Sequence, residues 1–177
     1  MTLSELLVGV AVSGVVLSGT FLVLHHGSGA HAFGAARVDA QQGVRLAMER
    51  MAVEIRGAGW SPVAAAFSAI VIAEPTRIAI QHDLDGNGVI AGAGETVTYL
   101  LRETTLRRDA GGGAQPVLND VRQLRFTYRD AQGRETATPD LVRSVEIALS
   151  AGPGHSARSR AADVVAHALT EVRLRNR

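Results

Sequence analysis

Asp83, Asp85, Asn87 and Gly88 stand in the order D-x-D-x-N-G. Two carboxylates and an amide carbonyl at that spacing are hard oxygen ligands, and the glycine permits the sharp turn that aims them inward. This is the first half of a calcium loop. Val89 offers a backbone carbonyl, and Ile90 sits where an EF-hand loop places its apolar anchor. The second half departs from that pattern. Gly94 takes the place of the bidentate acid, and Glu95 comes one residue late. Strand-like runs flank the loop instead of paired helices, so it is not an EF-hand. The candidate calcium ligands are Asp83, Asp85, Asn87, Val89 and Glu95. Asp, Asn and Gly also dominate ion-free turns, so a calcium clip and an empty turn both fit. Carboxylates gathered without an ion repel each other, which argues for the clip.

A second acid stands in an unusual place. Residues 1–24 read MTLSELLVGVAVSGVVLSGTFLVL, and residues 6–24 carry no charge. Nineteen residues at about 1.5 Å each nearly match the ~30 Å of a bilayer's hydrocarbon. Glu5 heads this run. A carboxylate at the edge of an apolar helix is costly in lipid and calls for a cation or strong donors. A secretory signal would need a basic leading region, which is missing, although HHGSGAHA after Leu24 imitates a cleavage site. A plain membrane anchor explains the length but leaves Glu5 unexplained.

MTLSELLVGVAVSG resembles the mature N-terminus of the type IV pilin superfamily. In that family a prepilin peptidase cuts just before a T-L-x-E-L run and methylates the new amino group. The matching positions are Thr2, Leu3, Glu5, Leu6 and Leu7, with Met1 where the family usually has Phe. The resemblance implies that a leader has already been removed. It also implies that Glu5 meets the N-terminal amine of Met1 on a neighbouring subunit and so sets axial register. MERMAVEIRGAGW and the closing EVRLRN are further similar to PilW-like minor pilins.

The remaining chain must then supply a head. Residues 25–29 (HHGSG) form the expected soft point, residues 25–30 carry the chain past the membrane surface, and Leu22 stands where the family often has proline. His25 and His26 suit a polar collar at the headgroups. From residue 32 to 58 a helical stripe returns, with Val44, Met48, Met51, Ile55 and Ala58 at spacings of four, three, four and three. Arg45 with Glu49 and Arg50 with Glu54 are i,i+4 pairs. Gly57 and Gly59 end the helix. Period-two runs follow at 77–82, 95–101, 105–108, 121–129, 142–150 and 164–174, the last with a register change toward Val172 and Leu174. Glu103 and Thr104 form a tight turn, while 110–115 and 151–160 are connections.

The expected fold is therefore α+β. A long helix, apolar in its first half and amphipathic in its second, packs on an antiparallel sheet. The divisions fall at 1–30, 31–58 and 59–177.

Composition bounds the rest. Net charge is +1, and all eighteen basic residues are Arg. Cysteine is absent, so neither disulfides nor thiolate metal sites contribute. With seven aromatic residues, stacking on single-stranded nucleic acid is disfavoured. Arg158, Arg160, Arg173, Arg175 and Arg177 suit a solvated strand edge better than a DNA surface. No G-x-S-x-G, H-E-x-x-H or P-loop occurs. His82 beside Asp83 lacks a nucleophile and reads as a solvated loop residue.

Together these features describe a structural subunit and not an enzyme. The resemblance implies a minor pilin or pseudopilin held in the inner membrane by a single pass, with its head in the periplasm, and later carried into a pilus or secretion pseudopilus. No cofactor is expected apart from the calcium candidate. The partners it implies are other pilin subunits, prepilin peptidase and the membrane. A membrane-anchored, calcium-dependent adhesin and a DNA-uptake pseudopilin are the alternatives.

Overall fold

The computed structural model describes residues 2–63, 66–153 and 164–176, and for residues 25–30 the backbone alone. One helix, α1 (Leu3–Gly57), is followed by β1 (Ile70–Glu74), β2 (Arg77–Gln81), β3 (Thr96–Arg102), β4 (Thr105–Asp109), β5 (Gln115–Leu118) and β6 (Val121–Arg129). A 3-10 turn (Pro139–Leu141), β7 (Ser144–Ala151) and β8 (Ala166–Arg173) complete the chain. The α+β expectation holds.

The helix does not break at residues 25–30. It runs unbroken for 55 residues, on the order of 80 Å. Gly27 and Gly29 lower helix propensity by about 1 kcal/mol each, too little to interrupt a helix with long regular segments on both sides. The division between its halves is one of environment. Every residue from Leu3 to Leu24 is exposed, whereas Ala36, Ala40, Val44, Ala47, Met48, Met51 and Ile55 are buried. The expected stripe is the face that docks, extended toward the N-terminus by alanines.

The single expected sheet is two sheets. β1 to β5 form a five-stranded antiparallel meander, and β6–β7–β8 a three-stranded one. They join where β6 meets the β1–β2 hairpin. Phe126 N–H donates to the Pro75 carbonyl, and the Tyr128 hydroxyl donates to the Glu74 and Arg77 carbonyls. Helix α1 packs most heavily on β8 and also touches β7 and β5. Ile70, Ile78, Ile80, Val97, Tyr99, Leu106, Val145 and Ile147 fill the space beneath it.

β1 and β5 lie outside the runs expected from sequence. The β8 register change does not occur. Residues 144–151 pair with 166–173 without a shift, and Val164, Ala166, Val172 and Leu174 are all buried. Thr170 takes an inward place and Leu169 points to solvent, so polarity at Thr170 gave a false impression of a slip. Val142, expected as a strand residue, lies just before β7 and is fully buried. The turn at Glu103 and Thr104 is confirmed, with Glu103 at φ 56°.

The helix is fixed to the larger sheet by a polar node. The Tyr99 hydroxyl donates to Glu54 at 2.7 Å, and Arg108 Nε donates to both Glu54 carboxylate oxygens at 3.0 Å. Burial, then the bond to Glu54, pushes the Tyr99 hydroxyl far above its usual range. At the helix end Asn176 donates to the carbonyls of Gly57 and Ala58, capping acceptors that the helix leaves open.

Candidate functional site

Two places bring chemistry together. The first is the start of α1. Thr2 is the N-cap. Its hydroxyl accepts from the Glu5 backbone N–H at 3.4 Å, and the Glu5 carboxylate accepts from the Thr2 N–H at 2.9 Å. This reciprocal capping box satisfies two orphan donors and places an acid at the positive end of the helix. By residue type alone Glu5 is an acid that calls for an external cation. Here it also has a local task. A carboxylate can accept about four hydrogen bonds, so the cap does not exhaust it. Met1 lies outside the described residues.

Beyond the cap, an 18-residue window within residues 3–24 has a mean hydropathy of 2.3, and none of it is buried. Ser13, Ser18 and Thr20 donate to the carbonyls of Gly9, Gly14 and Val16, four residues back. Their hydroxyls are thus satisfied within the helix, and the segment presents an apolar surface. The side chains of His25 and His26 lie outside the described residues.

The second place is the loop joining β2 to β3. It contains all five candidate calcium ligands. Carboxylate oxygens of Asp83, Asp85 and Glu95 lie within 4.8 Å of one another. Glu95 therefore reaches the cluster despite being one residue late in the EF-hand count. Asp83 and Glu95 are buried, and Asp85 is exposed. Asn87 and Val89 are exposed, and the Asn87 side-chain oxygen accepts from Val89 N–H at 2.7 Å.

The loop holds its own charges. Asp83 accepts from the N–H groups of Gly86 and Gly88 at 2.8 and 3.0 Å, and from the Ser61 hydroxyl at 2.6 Å. Glu95 accepts from the N–H groups of Leu84, Ala91 and Gly92. Gly86 and Gly88 have φ of 78° and 79°, the left-handed conformation that lets their amides converge on Asp83. Backbone donors thus answer the repulsion that argued for an ion. The Ser61 bond first, then the glycine amides, hold the Asp83 carboxyl below its usual range. The Gly92 amide leads the same effect on Glu95. His82 and Asp83 are not the solvated pair expected. His82 is half-buried beside the Gly57 backbone, and burial lowers its pKa.

These bonds make the stability of the loop depend on pH. Both carboxyls titrate lower in the folded chain than in the unfolded one. Their contribution is fully present above about pH 5, and is lost as pH falls through and below the ordinary carboxylate range of about 4. Trp60, the only tryptophan, accepts from Asp83 N–H through its carbonyl. With His82→Gln, so that no imidazole titrates beside Asp83, its emission should stay constant from pH 8 to about 5 and change only below about 4. A midpoint near pH 6 would show raised carboxyls and contradict the hydrogen-bond account.

Arg173 and Arg175 are exposed, flanking buried Leu174. Arg158, Arg160 and Arg177 lie outside the described residues. No family model matches the chain, and no curated protein matches it. Among solved structures, the chain is similar to a type IV-like pilin from Thermus thermophilus. The two share 15% identity over 76% of this chain and 96% of that one, with a TM-score of 0.48.

Proposed function

We propose that this chain is a minor structural subunit, a minor pilin or pseudopilin, of a type IV pilus or type II secretion pseudopilus. It waits in the inner membrane with residues 3–24 as its single span and its head in the periplasm. It then moves into the filament by exchanging lipid for the apolar flanks of neighbouring helices. That exchange leaves the hydrophobic term nearly unchanged, because one apolar setting replaces another. One observation carries the reading: a regular helix extends from the head with its first 22 residues wholly unburied and uncharged beyond Glu5. Its partners are other pilin subunits, and prepilin peptidase prepares Met1.

In this reading Glu5 serves twice. It caps its own helix in the free subunit and receives the amine at Met1 of a neighbour in the filament. Glu5→Ala should leave membrane insertion unchanged while incorporation into sheared filaments falls at least about tenfold, since a paired carboxylate in apolar surroundings contributes well over 1.4 kcal/mol. Glu5→Gln keeps the cap acceptor but not the charge. It should fail equally if charge pairing is what matters, and should assemble if capping is. Normal assembly of both variants would refute the register role.

The clustered Asp83, Asp85 and Glu95 oxygens support a second reading, a membrane-anchored binding module that uses calcium. Titration with terbium, read by sensitised emission from Trp60, tests it. The second reading expects a saturable signal that calcium displaces and that Asp85→Ala abolishes. No signal at millimolar terbium would leave the loop as an ion-free turn.

A further inference from the structure

A strand at the border of a sheet exposes unpaired N–H and C=O groups, and folds usually protect such borders. The two sheets have four. β5 is four residues long and includes Pro116, which has no N–H to offer. The outer side of β6 is partly bonded, through Phe126 to Pro75, Thr136 to Tyr128, and a bridge between Arg129 and Glu135. β1 lies against β6, with its Glu74 carbonyl taken by Tyr128. β8 is different. It spans eight residues without proline and has β7 on one side. On its other side no backbone hydrogen bond is made among the described residues.

That open side faces a groove of about 690 Å³, walled opposite by Phe33, Arg37, Gln41 and Arg45 of α1. Every residue from 164 to 170 lines the groove. The face of a strand shows only alternate residues, so an uninterrupted run means that the groove follows the backbone border itself. The wall is basic. Arg37 is exposed and forms no ion pair among the described residues, and Arg45 stays largely in solvent while touching Glu49.

We infer that the open border of β8 accepts an extended segment of a different protein as an added strand, and that this segment alternates apolar with acidic residues. Main-chain bonds supply the attachment in such an addition, and alternate side chains supply the selectivity. A second copy of this chain is a poor occupant. β8 runs alongside α1 in the same direction, since residues 164–170 lie beside residues 33–49 and Asn176 reaches Gly57. Two β8 borders pairing symmetrically run antiparallel, which would point their helices in opposite directions. That last exclusion rests on the membrane anchoring proposed above; the open border does not.

The test is hydrogen exchange of the β8 amides in the full chain held in detergent micelles. The probe is a synthetic octapeptide alternating valine and glutamate, at millimolar concentration. Alternate amides between Ala166 and Arg173 should exchange at least about tenfold faster than those of β7 in the free protein, and slow by a similar factor with the probe. The same peptide methylated on alternate backbone nitrogens should not slow them, and a valine–arginine version should be markedly weaker. β8 amides already as protected as those of β7 in dilute protein would mean that the chain covers its own border. Protection rising with protein concentration alone would make a second copy the occupant. An arginine peptide as effective as the acidic one, or no slowing with either, would also overturn the proposal. None of these outcomes touches anchoring, which is read separately from detergent dependence.

Discussion

Glu54→Ala is expected to destabilise the head by about 3 kcal/mol, because one carboxylate satisfies two partly desolvated donors. The Glu54 side chain is 20% exposed and that of Arg108 is 21% exposed. Removing the acid leaves the Arg108 guanidinium without its counter-charge and the buried Tyr99 hydroxyl without its acceptor. The contrast lies five residues earlier on α1. Arg45 and Glu49 form a bond of 2.8 Å, but their side chains are 80% and 57% exposed. Glu49→Ala should cost less than about 0.5 kcal/mol, since water screens such pairs and competes for both partners. Thermal unfolding in micelles should separate the two variants by roughly 10 °C. Equal melting temperatures would mean that the node does not fix the helix to the sheet.

The full chain should need detergent, and deleting residues 2–24 should leave one that is soluble and folded. Thirteen large apolar side chains between Leu3 and Leu24 are exposed. At roughly 2 kcal/mol each, their transfer out of water outweighs by several-fold the ~3 kcal/mol cost of one acid in the membrane. The buried apolar core begins only at Ala36, so the deletion removes no core contact. Its melting temperature should match that of the full chain within a few degrees. A truncated head that aggregates or unfolds would show that the apolar segment packs into the domain, and would remove the basis for anchoring and assembly alike.

The sequence made the helix face and several strands plain, for a physical reason. Val44, Met48, Met51, Ile55 and Ala58 repeat with the helical period because a single face is buried. Leu124, Phe126 and Tyr128 alternate because β6 has one inward face, and the expected run 121–129 matches the strand end to end. β1 was hidden. Its run of apolar residues carries no strong alternation, and a strand then cannot be told from other buried segments by period alone. β5 was hidden by Pro116 and by the glycines before it, which read as a connection. The split into two sheets depends on where Tyr128 finds its carbonyls, a contact more than 50 residues distant in the chain.

The acidic loop was half legible. Residue types announced Asp83 and Asp85, while counting along a known loop type misplaced Glu95. Its backbone donors come from Leu84, Ala91 and Gly92, and no residue type signals an amide. Helical spacing pairs Glu54 with Arg50, and that contact exists at 3.6 Å. Its nearer partners lie on strands 45 and 54 residues further along.

The clasp between Asn176 and the end of α1 has a consequence for biogenesis. The bond from Asn176 to Gly57 spans 119 positions, and β8 is the helix's main neighbour. While the polypeptide emerges from the ribosome, Val44, Met51 and Ile55 have no finished surface to rest on until β8 arrives. Contacts of such long separation form slowly, and uncovered apolar surface invites aggregation in the meantime. Nascent chains stalled before β8 should therefore be the ones that chaperones hold longest.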